Sequence, residues 1–322
     1  MRKLLALVRR ELWEHTTLII IPVALLVFVL LANTILVLTS SPPGVGPGSE
    51  TSEAIFSGAK YIQYFVSLND KQQALFVNGT MITIGMIINT VVLIMMFFYL
   101  LDSLYGERKD HSILFWKSLP VTNRLTVISK LTVAVFIIPV VIFITAILAD
   151  VITLAMQSYA MYLNGIPAAI LWQRSDLAGL WMLSIYHLIQ QTVWYFPVMG
   201  WLLFCSAWSR KKPIIIAVLL PALLVFIDSS FLLGTGISET ILERLPIGLR
   251  SLQMGNEHNL MSYNISNGGS QPGFNMLSGI KLPGMQDIFG FLLEIKVWTG
   301  IITGLVFAAL AILMRRLRDD AV

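Results

Sequence analysis

The sequence predicts an all-α integral membrane protein, and three observations carry that prediction. Charged residues make up only 12% of the 322-residue chain and hydrophobic ones 56%, whereas an ordinary soluble domain carries about 25% charged residues. The apolar residues fall in long runs separated by short polar segments, six of them long enough for the ~20 residues that a helix needs to cross hydrocarbon. The basic residues cluster near the ends of those runs, so the net charge of +4 reads as membrane topology rather than nucleic-acid binding.

The six runs are Thr17–Thr39, Met81–Leu104, Leu125–Met156, Leu177–Trp208, Pro213–Leu233 and Phe289–Met314. The first exceeds the roughly 7–15 residues of a signal-peptide core and stays as a permanent span. The third and fourth are longer than a bilayer requires and should tilt or project into water. With the N-terminus inside, residues 1–16, 105–130, 209–212 and 315–322 hold 4, 5, 3 and 3 basic residues, 15 of the 22 in the chain. The other seven, Lys60, Lys71, Arg174, Arg244, Arg250, Lys281 and Lys296, are spread over much longer outer segments. By the positive-inside rule both termini are cytoplasmic.

The polar segments have character of their own. Residues 1–16 fit an amphipathic interfacial helix. Leu4, Val8 and Leu12 recur at spacing four with Leu5 and Trp13 beside them, while Lys3, Arg10 and Glu14 take another face. Lying on the inner leaflet, it would set Trp13 at headgroup depth and Arg9 and Arg10, just before Glu11, near lipid phosphates. Residues 41–80 open on a turn-rich exit and then suggest a second interfacial helix around Ala54–Leu68. Residues 234–288 form the largest extracytoplasmic loop, too poor in periodic apolar residues for a separate domain. The chain therefore reads as one transmembrane domain over 1–322.

Residues 105–124 stand apart. Ile113, Leu114, Phe115 and Trp116 run together between charged flanks, the composition of a docking surface. Pro120 ends that short helix, and Thr122 or Asn123 can cap the next. An interfacial helix lying on the membrane fits the same residues.

The run YGERKDHSILFWKSLPVTNRLTVISK resembles the segment between spans two and three in permease subunits of type 2 ABC exporters. It carries Gly106, Glu107, Arg108, Ser112, Ile113, Leu114, Phe115, Trp116, Ser118, Leu119, Pro120 and Lys130 where that family has its motif, and Arg10 to Glu14 resembles the family's interfacial helix. The resemblance implies a six-span exporter subunit in the bacterial cytoplasmic (inner) membrane. It would pair with a second permease chain, as homodimer or heterodimer, and with a separate ATP-binding subunit that holds ATP and Mg. Residues 107–119 would be the coupling helix, with Glu107 and Arg108 meeting surface charges on the ATPase and Phe115 and Trp116 anchoring in its groove. The cargo class would be an amphipathic or lipid-like molecule, a drug or a peptide. The alternative is an ABC-type scaffold that delivers force to an extracytoplasmic partner without transport.

No catalytic constellation appears. There is no G-x-x-x-x-G-K-[ST] loop, His15, His111, His187 and His258 show no zinc spacing, and Cys205, the one cysteine, has no partner. No metal, no nucleic acid and no cofactor bound by this chain are expected; lipid is. Polar residues within spans are costly and informative. His187, Gln190, Gln191 and Trp194 form a stripe on span four, readable as a pathway, as a seam between protomers, or as hydrogen bonding within one subunit. Asp150 and Asp228 lie toward outer span ends, and Asn33 and Thr34 serve packing or substrate contact. Pro22, Pro139, Pro197 and Pro221 mark kinks.

Overall fold

The computed structural model describes residues 2–40, 58–109, 122–209, 211–230, 237–244 and 290–319. These form α1 (Arg2–Glu14), α2 (Thr17–Leu38), α3 (Gly58–Ser67), α4 (Asp70–Lys109), α5 (Asn123–Thr132), a π-helical turn (Val133–Ile137), α6 (Ile138–Leu163), α7 (Ala169–Arg174), α8 (Leu177–Trp208), α9 (Pro213–Ser230), α10 (Ile237–Arg244) and α11 (Ile295–Asp319). Among the described residues there is no strand.

Five helices are long and apolar enough to cross a membrane: α2, α4, the continuous rod from α5 through α6, α9 and α11. The rod spans Asn123–Leu163 and α4 runs to 40 residues, so both project well beyond a ~30 Å hydrocarbon core. The fourth expected run, α8, is a helix with the expected bounds and without Asp, Glu, Lys or Arg. Its four tryptophans and the Gln190-Gln191 pair make it less apolar than the other five.

Local chemistry explains the element ends. Thr122 caps α5 by accepting from the Leu125 amide, and Asp176 caps α8 by accepting from the Gly179 amide at 3.0 Å. Pro139 has no amide proton for the Val135 carbonyl, so the helix widens before it, and the Ile138 amide donates to Val133 five residues back. Pro22, Pro197 and Pro221 lie inside α2, α8 and α9.

Packing places α8 along α11, α2 against α6, and α4 between α6 and α8. The α8–α11 approach rests on two glycines. A Cβ at Gly200 would stand 2.5 Å from the Gly304 carbonyl oxygen, and one at Gly304 would strike Phe196. A long core joins α4, the π-turn and α8 through Leu100, Val133, Ala134, Leu203 and Cys205, all sealed from solvent. A smaller core fills the opposite end, where α3 inserts Ile62 and Phe65 beside Met81, Leu154 and Met161. There the Tyr61 hydroxyl donates to Gln157 Oε1 at 2.8 Å, and burial pushes its phenol pKa up. Outside the cores, Ile19, Ile20, Val23, Leu219, Phe226 and Leu305 stand exposed, the pattern of a surface solvated by lipid.

Candidate functional site

One end of the bundle gathers α1, the start of α2, the end of α4, α5, and the ends of α8 and α11. Here α1 turns Leu4, Leu7, Val8 and Leu12 toward the protein and packs on α5. Its apolar stripe is thus spent on the bundle rather than on lipid. Leu5 and Trp13, grouped beside that stripe by the sequence, face outward, with Trp13 74% exposed and the Arg9 guanidinium 5.7 Å above its ring.

Glu11 lies in the middle of the buried stripe, and this placement makes the site. Both of its carboxylate oxygens accept from the Lys130 ammonium at 2.9 Å, and Glu11 and Lys130 are each 0% exposed. Lys130 also sits 3.1 Å from Glu107 Oε1. Arg10 reaches the same Glu107 oxygen at 3.3 Å and Glu14 at 2.9 Å, while Arg315 meets Glu107 Oε2 at 2.9 Å. The Tyr99 hydroxyl donates to Glu11 Oε2 at 3.3 Å. His15 sets its ring edge-on to Tyr99, centroids 4.9 Å apart, with Nε2 3.9 Å from Glu11. Burial, followed by the Lys130 charge, holds the His15 pKa below its ordinary value.

Three carboxylates, Glu11, Glu14 and Glu107, therefore face three cations, Arg10, Lys130 and Arg315, contributed by α1, α4, α5 and α11. The carboxylate oxygens lie within 4.8 Å of one another, close enough to suit a divalent ion if they stood alone. They do not stand alone, because Lys130 already bridges Glu11 and Glu107. Moving ions out of water costs several kcal/mol each, and only such multiple, hydrogen-bonded pairing offsets it.

Glu107, which the family resemblance implied would meet charges on a partner, is turned into the bundle by these contacts. Arg108 likewise bonds within the chain. Its guanidinium donates to the carbonyls of Ser206 and Ser209, where α8 ends with unpaired acceptors, and its Nε to Leu104 O at 3.4 Å. Ser206 Oγ in turn accepts from the Leu104 and Tyr105 amides at 3.1 and 3.0 Å. Ile113, Leu114, Phe115, Trp116 and Pro120 lie outside the described residues.

The stripe on α8 is brought together only in part. Gln191 and Trp194 are buried, while His187 and Gln190 are half-buried. Gln190 donates to the Tyr186 hydroxyl at 2.7 Å. Gln191 is 7% exposed, and neither end of its amide has a hydrogen-bond partner among the described residues. Asn33 donates to Val29 O and to Thr153 Oγ1, joining α2 to α6, and Thr34 donates to Leu30 O within α2. Asp150 accepts from the Trp181 indole at 3.2 Å, and Asp228 accepts from the Ser238 amide at the start of α10 at 2.9 Å.

Arg244 was not singled out by the sequence. From α10 it stacks 4.7 Å over the Trp194 ring and donates to Trp194 O at 3.0 Å and Lys296 O at 2.6 Å, pinning α8 to α11. Its only trace in the sequence was its place among the seven basic residues of the outer segments.

Neither family models nor curated proteins nor solved structures contain a match to this chain.

Proposed function

We propose that this chain is the transmembrane subunit of an ATP-driven exporter, working with a separate ATP-binding subunit and a second permease chain. Six spans, with α8 as the fourth, would carry an amphipathic or lipid-like molecule, a drug or a peptide across a bacterial cytoplasmic membrane. Both termini would be cytoplasmic, which puts the ion-pair cluster on the ATP side.

The observation that supports this reading is the bond closing the base of residues 110–121. Glu107, two positions before the end of α4, and Lys130, on α5, meet at 3.1 Å. The helices that lead into and out of the segment carrying Ile113, Leu114, Phe115 and Trp116 are thus tied by one ion pair, Glu107 on the first and Lys130 on the second. A lever must transmit force at its root rather than yield there, and a charge-paired base meets that need. The ATP-binding partner would receive Phe115 and Trp116 in an apolar groove, the aromatic anchoring that concentrates binding energy at protein interfaces.

The test is co-purification from the native membrane. The expected result is an ABC-type ATPase recovered with the wild-type chain and lost with Phe115→Ala/Trp116→Ala, while membrane insertion is unchanged. Recovery of no ATPase, or equal recovery with the double variant, overturns the reading.

A further inference from the structure

The ion-pair cluster does more than brace one loop. Four chain segments that are distant in sequence, α1, the end of α4, α5 and the end of α11, converge on two residues, Lys130 and Glu107. Three residues after Lys130 the helix leaves α-geometry for the π-turn at Val133–Ile137, followed at once by Pro139. A π-turn and a proline each weaken the axial hydrogen-bond ladder, and helices bend where that ladder is interrupted. A tightly cross-linked head therefore adjoins a weak point in the rod that carries it.

We infer that this end of the protein is a conformational device: α1, the end of α4, α5 and the end of α11 move as one rigid head. The π-turn is the hinge on which the long rod bends relative to that head. Glu11 is the latch that makes α1 part of it. Among the described residues, α1 is held by apolar packing, through Glu11 on Lys130 and Tyr99, and through Arg10 on Glu107. Removing Glu11 still leaves Lys130 its Glu107 partner, so the rest of the head is not stranded with an unpaired charge. The inference concerns the chain alone and does not depend on the exporter reading.

Two measurements on the full chain in lipid nanodiscs test it, both without any ATPase. In hydrogen–deuterium exchange, Glu11→Leu is expected to speed the α1 amides by about tenfold or more, with α4 and α8 unchanged. Glu11→Gln, which keeps shape and a weaker hydrogen bond, is expected to fall between Glu11→Leu and wild type. If α1 in both variants exchanges like wild type, Glu11 is no latch.

The hinge is read by pulsed electron paramagnetic resonance in a Cys205→Ala background. Labels at the exposed positions Arg124 and Ile144 straddle the π-turn, and labels at Ile87 and Lys109 lie along the uninterrupted α4. The expected result is a broader distance distribution across the π-turn than along α4. Equal widths, or a broader α4 pair, overturn the hinge.

Discussion

The ammonium of Lys130 sits 2.9 Å from both carboxylate oxygens of Glu11, although the two residues are 119 positions apart and each is wholly buried. Truncating one partner of such a pair strands the other charge, at a cost of about 3–5 kcal/mol. Lys130→Met is therefore expected to lower stability by about that amount in denaturant titration of the detergent-solubilised chain. Glu11→Met/Lys130→Met removes both charges and is expected to lose less than Lys130→Met alone. A double variant that is worse than the single would refute the pairing.

A charge swap separates a simple pair from a shared hub. Glu11→Lys/Lys130→Glu restores the attraction between positions 11 and 130. It also places a carboxylate at position 130, where the ammonium now lies 3.1 Å from Glu107. The swap should therefore fail to recover wild-type melting temperature, because like charges at that distance repel. Full recovery would mean that Glu107 is not part of the same unit.

His15 gives this end of the protein a pH dependence. Its folded pKa is depressed below the ordinary 6.5 by burial and by Lys130, against the opposing pull of Glu11, Asp102 and Glu14. The unfolded chain therefore binds the proton more readily than the folded one. The stability contributed by neutral His15 is complete above pH about 6.5 and declines as pH falls through the folded value. Melting temperature in wild type should drop more steeply between pH 7 and 5 than in His15→Gln. Parallel curves would show that His15 is not responsible.

The α8–α11 seam should resist larger side chains. Gly200→Leu drives a branched side chain into the Gly304 backbone, and overpacking of that kind costs about 1–3 kcal/mol or more. Gly200→Ala, one methyl group, should cost less yet still be measurable, since its Cβ would stand 2.5 Å from a carbonyl oxygen. Thermal unfolding of the two variants beside wild type checks the order.

Arg244 makes two hydrogen bonds to backbone carbonyls and a stack on Trp194. A lysine lacks the planar fork that satisfies all three together. Arg244→Lys should therefore behave like Arg244→Met, with faster proteolysis of α10 in each. Protection of α10 in the lysine variant would leave only charge, not geometry, as the cause.

What the sequence revealed follows from what hydropathy measures. Apolar run length reports depth in lipid, so five long apolar helices were legible, and the helix α8 was placed to the residue. The same signal does not report where a helix ends in water. Residues 70–80 interrupt their apolar run with charged and polar residues and are still helical, so α4 begins eleven positions before the expected Met81. The periodicity of α1 showed which face is apolar but not its partner, because lipid and protein make the same demand of Leu4 and Val8. Glu11 marked the difference: a carboxylate inside an apolar stripe has no place against hydrocarbon unless a cation awaits it. That cation, Lys130, lies too far along the chain for spacing to reveal it.

The π-turn at Val133–Ile137 also bears on how the chain can change length. A π-turn takes up an additional residue by widening, with little added rise or rotation, so the two halves of the rod keep nearly the faces that an α-helix one residue shorter would give them. Deleting one residue there would close the turn to α-geometry with both ends nearly in place, whereas deleting one from an α-helical part of the rod would rotate everything before it by about 100° relative to everything after. In that second case either Lys130 would leave Glu11, or Thr153 and Gln157 would leave Asn33 and Tyr61. The loss of one codon is thus absorbed at the π-turn and becomes, elsewhere in the rod, a twist felt at both ends of the molecule at once.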